Sequence, residues 1–379
     1  MMGTEQEHLS EEQGEELMSE VSVITEPFDP GKIRITMWQP TVDLLMQRVR
    51  ENEIDLEPDF QRRAGLWKPW EKSRLIESLL IKIPLPSFYL DSTDENQLFV
   101  VDGLQRLSTL RDFIVEEKMK LEGLEFLIDL NGKSFKDLPR YLIRRILETQ
   151  LTAFLIEKGT PDEVKYNIFK RINTGGLPLS QQEIRHALNR GPARDMIATL
   201  ASSKEFIDAT ANGVSQERMQ DRALVLRFMA FVLNPPDSYS SRSFDVFLNE
   251  SFKTLNSIEQ EKRDDLSRRM LRSLVASKQI FDDDAFRKRI SENDKRHPVN
   301  YTLFESWTYN LDRCTDEMLA KLIANSARVR ACYRKRLIED GEFLAAISSG
   351  TDDKRKIITR FETVRQIILD ALTEAPGDQ

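Results

Sequence analysis

The sequence predicts an α/β (α+β) protein: a mixed region to about residue 190, followed by an all-helical one. Three observations predict this. Short apolar runs bounded by turn residues alternate with helical patterns through the first half. From about Gly191 onward strand-like runs disappear and helical periodicity dominates, broken clearly at Asn234-Pro-Pro-Asp and Gly350-Thr-Asp-Asp. The chain has 379 residues, enough for two or three domains with real cores. The expected layout is an acidic disordered tail over 1–30, a mixed domain over 31–190 and a helical domain over 191–379.

In chain order, Ile33 to Met37 alternates like a short strand, and Val42-Asp-Leu-Leu-Met-Gln-Arg-Val has helical spacing. Asp55 to Arg63 is extended and punctuated by Pro58, which predicts a loop. Trp70 to Ile81 predicts an amphipathic helix with Leu75, Ile76, Leu79 and Leu80 as its stripe; Pro84 and Pro86 follow it. Ser87 to Leu90 and Leu98 to Val101 read as strands, and Glu122 to Leu130 as a strand or hairpin closed by Asn131-Gly132. Leu138 to Ile146 is helical, Leu151 to Ile156 a strand and Pro161 to Ile172 a helix. After Asn173-Thr-Gly-Gly-Leu-Pro, a new helix begins with Ser180 and Glu183 spaced as a capping box.

Charge is uneven. Net charge is −8, but nine of the 63 acidic residues lie before residue 31 with no Lys or Arg among them, leaving 54 acids against 55 Lys plus Arg. A non-specific DNA-coating protein is therefore disfavoured. The tail reads as a solvating segment, or as an arm competing with nucleic acid for a basic groove. No apolar run approaches the roughly 20 residues that cross a bilayer, and no signal-peptide pattern opens the chain. Cys314 and Cys332 lack metal-ligand spacing. The expectation is a cytoplasmic, reduced protein without membrane contact.

Three segments concentrate chemistry. The first is Val101-Asp-Gly-Leu-Gln-Arg-Leu-Ser-Thr-Leu, a strand that ends in Asp-Gly and restarts as a helix with Leu107, Leu110, Phe113 and Ile114 on one face. A helix start attracts anions, and an Arg beside it can hold phosphate with two prongs. Asp102 can hold Mg²⁺, take a ribose hydroxyl or cap the helix. The second is Arg171 to Arg185, where Asn173, Thr174, Gly175 and Gly176 can form an anion nest or merely a junction between helices. The third, Pro58 to Trp67, joins Arg62 and Arg63 to two aromatics, a pairing suited to stacking on bases or to anchoring a loop in the core.

Together these segments resemble the DUF262 family, the N-terminal domain of GmrSD-type restriction systems. The resemblance runs through Phe60-Gln-Arg and Trp67, Leu75-Ile-Glu-Ser-Leu-Leu and Ile83-Pro-Leu-Pro-Ser-Phe-Tyr. It continues through Val101-Asp-Gly-Leu-Gln-Arg and Phe169-Lys-Arg-Ile-Asn-Thr-Gly-Gly-Leu-Pro-Leu-Ser-Gln-Gln-Glu-Ile-Arg, over roughly 35–190. It implies a ParB/sulfiredoxin-like fold, binding and hydrolysis of a nucleoside triphosphate, and sensing of modified phage DNA. The family motif is Asp-Gly-Gln-Gln-Arg; here Leu104 stands for its first Gln, harmless if that position faces the core. The matching residues are Asp102, Gly103, Gln105 and Arg106, with Arg62, Asn173, Thr174, Gly175, Gly176, Gln182, Glu183 and Arg185 as weaker carry-overs.

The leading expectation is an Mg²⁺-dependent NTPase that senses DNA in an anti-phage system. Asp102 holds the metal, Gly103 and Arg106 hold phosphates, and Asn173 to Gly176 form the opposite wall. Arg62 stabilises developing charge, and Glu183 orients water. Relatives often carry an HNH-type nuclease of the DUF1524 kind. His8, His186 and His297 have no partner set for that chemistry, so a separate nuclease subunit is expected. A non-hydrolysing nucleotide- or DNA-binding adaptor and a DNA nickase are the alternatives, and a homo-oligomer remains open. The basic clusters Arg268-Arg269 with Arg272, and Arg328 to Arg336, read as solvated surface or as DNA-phosphate contacts.

Overall fold

The computed structural model describes residues 31, 33–56, 67–161, 164–166, 168, 180–240, 243–290 and 294–373. The chain divides into two compact units, 27–179 and 180–379, the latter grouped with 1–26. The division thus falls just before Ser180, ahead of the Gly191-Pro192 break. The expected tail at 1–30 and the loop and helix readings over 57–66 and 169–179 lie outside the described residues.

The first unit is built on a five-stranded mixed sheet. Its strands are β1 (Ile35–Trp38), β2 (Ile54–Asp55), β3 (Phe88–Ser92), β4 (Leu98–Asp102) and β5 (Ala153–Glu157), in the order β1-β5-β3-β4-β2. β5 runs antiparallel to β1 and parallel to β3, whereas β3 and β4 are antiparallel with a register shift between Tyr89 and Leu90. β2 joins the far edge parallel to β4.

Four helices cover one face. Helix α1 (Val42–Arg50) starts at Thr41, whose hydroxyl accepts from Leu44 N, and buries Val42, Leu45, Met46 and Val49. Helix α2 (Pro69–Leu80) opens with proline in its first turn, where the missing N–H costs nothing, and Glu71 caps Lys68 N at 2.7 Å. Its stripe of Leu75, Ile76, Leu79 and Leu80 is buried as the spacing predicts. Helix α3 (Leu104–Leu110) follows β4, and α4 (Arg140–Glu148) precedes β5. These helices pack with Phe88, Leu90, Leu98 and Val100 of the sheet in one apolar cluster.

Helix α3 widens into a π-helical turn over Arg111–Val115, where Glu116 N donates to Arg111 O at 2.9 Å, five residues back. Phe113 and Ile114 remain buried.

The stretch 122–130 is not the strand or hairpin the pattern predicts. It is irregular, ending in a short 3-10 turn at Ile128–Leu130. Glu77 on α2, itself buried, accepts from the backbone N–H groups of Glu125, Phe126 and Leu127 at 3.0, 2.8 and 2.7 Å. The donors that a ladder would need are thereby consumed by one carboxylate. The Asn131-Gly132 turn does form, with Gly132 at φ +83 and Leu121 N bonded to Lys133 O.

The second unit is helical among the described residues. Its helices are α5 (Gln181–Leu188), α6 (Pro192–Ala201), α7 (Lys204–Thr210), α8 (Gln220–Leu233), α9 (Phe244–Ser257) and α10 (Gln260–Phe281). They continue as α11 (Tyr301–Asp312), α12 (Asp316–Ala324), α13 (Ser326–Glu339), α14 (Gly341–Ala346) and α15 (Lys354–Leu372). Helix α11 is central, packing on α8, α10 and α15 and burying Phe304 and Trp307. Within this core Glu305 accepts from Arg227 at 3.0 Å and from Arg360. Burial lowers the proton affinity of Arg360, and the Glu305 carboxylate offsets this.

The basic clusters of this unit are largely paired within the chain. Arg269 grips Asp312 with two prongs at 2.9 and 2.6 Å, and Arg272 reaches Asp316 and the carbonyl of Cys314. Arg336 meets Asp340 and Asp370, Arg328 the carbonyl of Asp370, and Arg330 that of Ile280. That pairing favours the solvated-surface reading over a row of phosphate contacts.

Candidate functional site

β4 delivers Asp102 at its last position, and the chain must then turn sharply into α3. Gly103 makes the turn at φ +100, a conformation that disfavours any residue with a Cβ. Space imposes the same choice. A Cβ at 103 would overlap Cδ1 of Phe88 and lie 2.9 Å from its Cε1. Leu104 points into the core of the sheet unit, 6% exposed, so the substituted motif position faces apolar side chains.

Arg106 lies one helical turn beyond Asp102. Its Nη1 donates to the carbonyl of Pro86, and its Nη2 to Ser87 O at 3.1 Å and to Asp102 Oδ2 at 3.0 Å. Its guanidinium carbon stands 4.3 Å from the centroid of the Phe88 ring. Three of the five N–H donors an arginine carries are thus directed at protein oxygens. Burial lowers its proton affinity, while the charge and hydrogen bond of Asp102 oppose that shift. The group remains a cation.

The result is a carboxylate fixed from behind. Asp102 offers Oδ2 to Arg106 while its side chain stays 33% exposed. Gln105 is half-buried beside it, its carbonyl accepting from Thr109 at 2.7 Å. Among the described residues no group of three or more His, Cys, Asp or Glu converges as a metal-ligand set. A metal held at this turn would take Asp102 as a protein ligand. Mg²⁺ suits such a donor set, because it keeps several waters and shares carboxylates with substrate phosphates.

The other expected site residues are distributed differently. Arg62, Asn173, Thr174, Gly175 and Gly176 lie outside the described residues. Gln182, Glu183 and Arg185 belong to α5, in the helical unit. Ser180 and Glu183 form the capping box their spacing predicts: Glu183 N donates to Ser180 Oγ at 3.1 Å and Ser180 N to Glu183 Oε2 at 2.6 Å. The same Oε2 accepts from Arg218 Nε at 3.1 Å. Arg185 makes a buried ion pair with Asp245 of α9 and donates to Gln182 Oε1 at 3.3 Å.

Residues 43–189 match the model of the GmrSD restriction endonuclease N-terminal domain. This segment is thus similar to a GmrSD N-terminal domain. It begins in α1 and runs through the Asp102 turn into α5, so the family segment extends past the sheet unit into the first helix of the helical unit. Its description is of a restriction-system type. Among curated proteins none matches the chain. No helix among the described residues is long and apolar enough to cross a membrane.

Sequence reasoning missed the partners that fix Arg106. The carbonyls of Pro86 and Ser87 and the ring of Phe88 are contributed from 18 to 20 positions upstream, and no local pattern announces them. The Pro84-Leu-Pro86 sequence was the available signal, since it ends α2 and leaves an extended segment whose carbonyls need donors. Asp245, 60 residues from Arg185, carried no signal at all.

Proposed function

We propose that this protein is a nucleoside triphosphate-dependent, DNA-sensing component of a restriction-type defence system, with Asp102 as the carboxylate on the metal side of the nucleotide. The observation that carries this reading is the fixed, partly exposed Asp102 within the GmrSD-type segment. Arg106 is a positioning residue in this scheme. Anchored on Pro86, Ser87 and Phe88, it holds Asp102 in one orientation.

Mg²⁺, when bound, would supply positive charge to the β- and γ-phosphate oxygens. Asp102 would orient the metal's water shell. The backbone amides after Gly103 would face phosphate oxygens. Hydrolysis joins water to the γ-phosphorus and breaks its bond to the bridging oxygen, releasing phosphate and the diphosphate. DNA would change this rate only by favouring one nucleotide-bound state over another.

The test is phosphate release from ATP, GTP, CTP and UTP, with and without Mg²⁺ and with plain or modified duplex DNA. Wild-type protein should release phosphate from at least one nucleotide with Mg²⁺, and Asp102→Asn should lower that rate by about 100-fold, the scale of one lost electrostatic contact in a transition state. Absence of both binding and turnover for all four nucleotides would remove the reading.

One observation favours a second reading, a nucleotide-binding adaptor without turnover. The donors of Arg106 directed at Pro86, Ser87 and Asp102 do not also serve a transferring phosphoryl group. Calorimetry showing saturable nucleotide binding with no phosphate release would select that reading.

A further inference from the structure

The sheet has a second face, opposite the four helices, and Asp102 belongs to it. Side chains alternate along a strand, so Phe88, Leu90, Leu98 and Val100 meet the helices while Tyr89, Asp91 and Phe99 point the other way. β5 adds Phe154, paired with Tyr89, and Ile156, paired with Asp91. β1 adds Met37 opposite Phe154 and Ile35 opposite Ile156. On β4 the alternation is broken. Leu90 pairs with Val100 but Tyr89 with Asp102, so β4 carries one extra residue between the two pairs. A bulge re-aims the side chain beside it. Without the bulge, Tyr89 would oppose Val101, and Asp102 would fall on the helix-covered face. With it, Met37, Phe154, Tyr89 and Asp102 form one row across β1, β5, β3 and β4.

The two rows of this face differ in cover. In the row of Ile156 and Asp91 both residues are buried. The Lys165 ammonium pairs with Asp91 at 3.2 Å and donates to Thr93 Oγ1, which pins the buried residues 164–166 over that row. In the row of Asp102, Met37 is 59% exposed, and Phe154, Tyr89 and Asp102 are all partly exposed. The Tyr89 and Phe154 rings stack, with centroids 5.1 Å apart and planes 26° from parallel. A stacked, accessible aromatic pair therefore lies in line with the fixed carboxylate, beside a segment anchored by a buried ion pair.

Such a row suits a ligand that is a flat ring at one end and a metal-bound anion at the other. At ordinary strand spacing Tyr89 and Phe154 lie about 5 and about 10 Å across the sheet from Asp102. The ribose and α-phosphate of a nucleotide fill a gap of that size. We propose that Tyr89 and Phe154 are the stacking platform for the base of a nucleoside triphosphate, with Met37 extending the apolar floor and Asp102 at the phosphate end. This rests on the nucleotide reading above and adds where the base lies. Stacking grips a base by its π-face, so the platform accepts all four bases and favours purines, whose larger rings overlap more.

The test is calorimetric titration of the full chain, with Mg²⁺, by ATP, GTP, CTP, UTP and inorganic tripolyphosphate. Wild type should bind ATP or GTP about tenfold more tightly than tripolyphosphate, the scale of one stacked base. Tyr89→Leu and Phe154→Leu keep apolar volume and lose a ring. Each should weaken ATP about tenfold and leave tripolyphosphate unchanged, whereas Tyr89→Phe should bind as wild type does. The triphosphate of 2-aminopurine riboside, whose emission is quenched by stacking, should dim on wild type and stay bright on Tyr89→Leu. If ATP binds wild type no better than tripolyphosphate does, or if both folded leucine variants bind ATP as wild type does, the platform is overturned and the nucleotide reading stands. If wild type binds no nucleotide, both fall.

Discussion

Arg106 rests on the ring of Phe88, its guanidinium carbon 4.3 Å from the centroid, and the same ring closes the space beside Gly103. One aromatic side chain thus supports the arginine and fixes the backbone of the Asp-Gly turn. Residues 88, 103 and 106 act as one unit, with Asp102 carried on it.

Gly103→Ala should therefore destabilise the protein by about 3 kcal/mol, combining the left-handed backbone cost with overpacking against Phe88. Adding Phe88→Leu should recover part of the loss, because it removes the overlap and leaves the backbone cost. Urea denaturation of the single and double variants measures both. Simple additivity of the two changes would show that the ring does not set the constraint.

Arg106 and Asp102 should respond differently to substitution. Arg106→Lys loses bonds to two buried-side carbonyls and should cost about 2–3 kcal/mol. Asp102→Asn removes one partly exposed ion pair and should cost less than about 1 kcal/mol. Thermal unfolding compares them. Equal losses would place Asp102 among the structural groups and weaken its assignment to chemistry.

Glu77 gives a pH signature. Burial raises its carboxyl pKa, but the N–H bonds from Leu127, Glu125 and Phe126, with Arg74 nearby, outweigh this and hold it below the ordinary value. A depressed folded pKa contributes stability above the unfolded value of about 4.3, and that contribution disappears as pH falls through the folded value. Wild type should therefore lose more stability than Glu77→Gln between about pH 5 and about pH 3. At neutral pH the variant should be weaker by about 2 kcal/mol, since charged acceptors make the stronger bonds. Parallel pH profiles would remove Glu77 as the clamp of residues 125–127.

Glu305 pairs with both Arg227 and Arg360 in the helical core. Glu305→Gln leaves two buried guanidiniums without that anion and should cost about 3–5 kcal/mol. A Glu305→Gln, Arg360→Met double variant should be more stable than the single one. Circular dichroism in denaturant measures this, and an unchanged midpoint in the single variant would mean that the charge is balanced by other groups.

Much of the sheet unit was legible because its signals are local. Leu98 and Val100 fall on one face, Asp-Gly stops the strand, and the stripe from Leu107 to Ile114 is buried as its spacing requires. Ser180 and Glu183 likewise announced their helix start. The rest depends on contacts distant in sequence. Leu124, Phe126, Ile128 and Leu130 alternate like a strand until Glu77, some 50 residues earlier, captures the N–H groups of residues 125–127. Arg106 looks like a free phosphate fork until Pro86 and Ser87 present their carbonyls. The meeting of His186, Arg194 and Arg222 arises from three helices and has no signature in any one of them.

The widened turn at Arg111–Val115 has a consequence for the wall around it. A π-helical turn holds one more residue than a regular turn of the helix around it. Removing one residue there would return the segment to regular helical spacing and redirect the side chains within the turn. Phe113 and Ile114, now sealed inside, would swing off their seats, and Asp112 would leave the ammonium of Lys72 that it meets at 2.8 Å. The irregularity has become the register on which the surrounding wall is built.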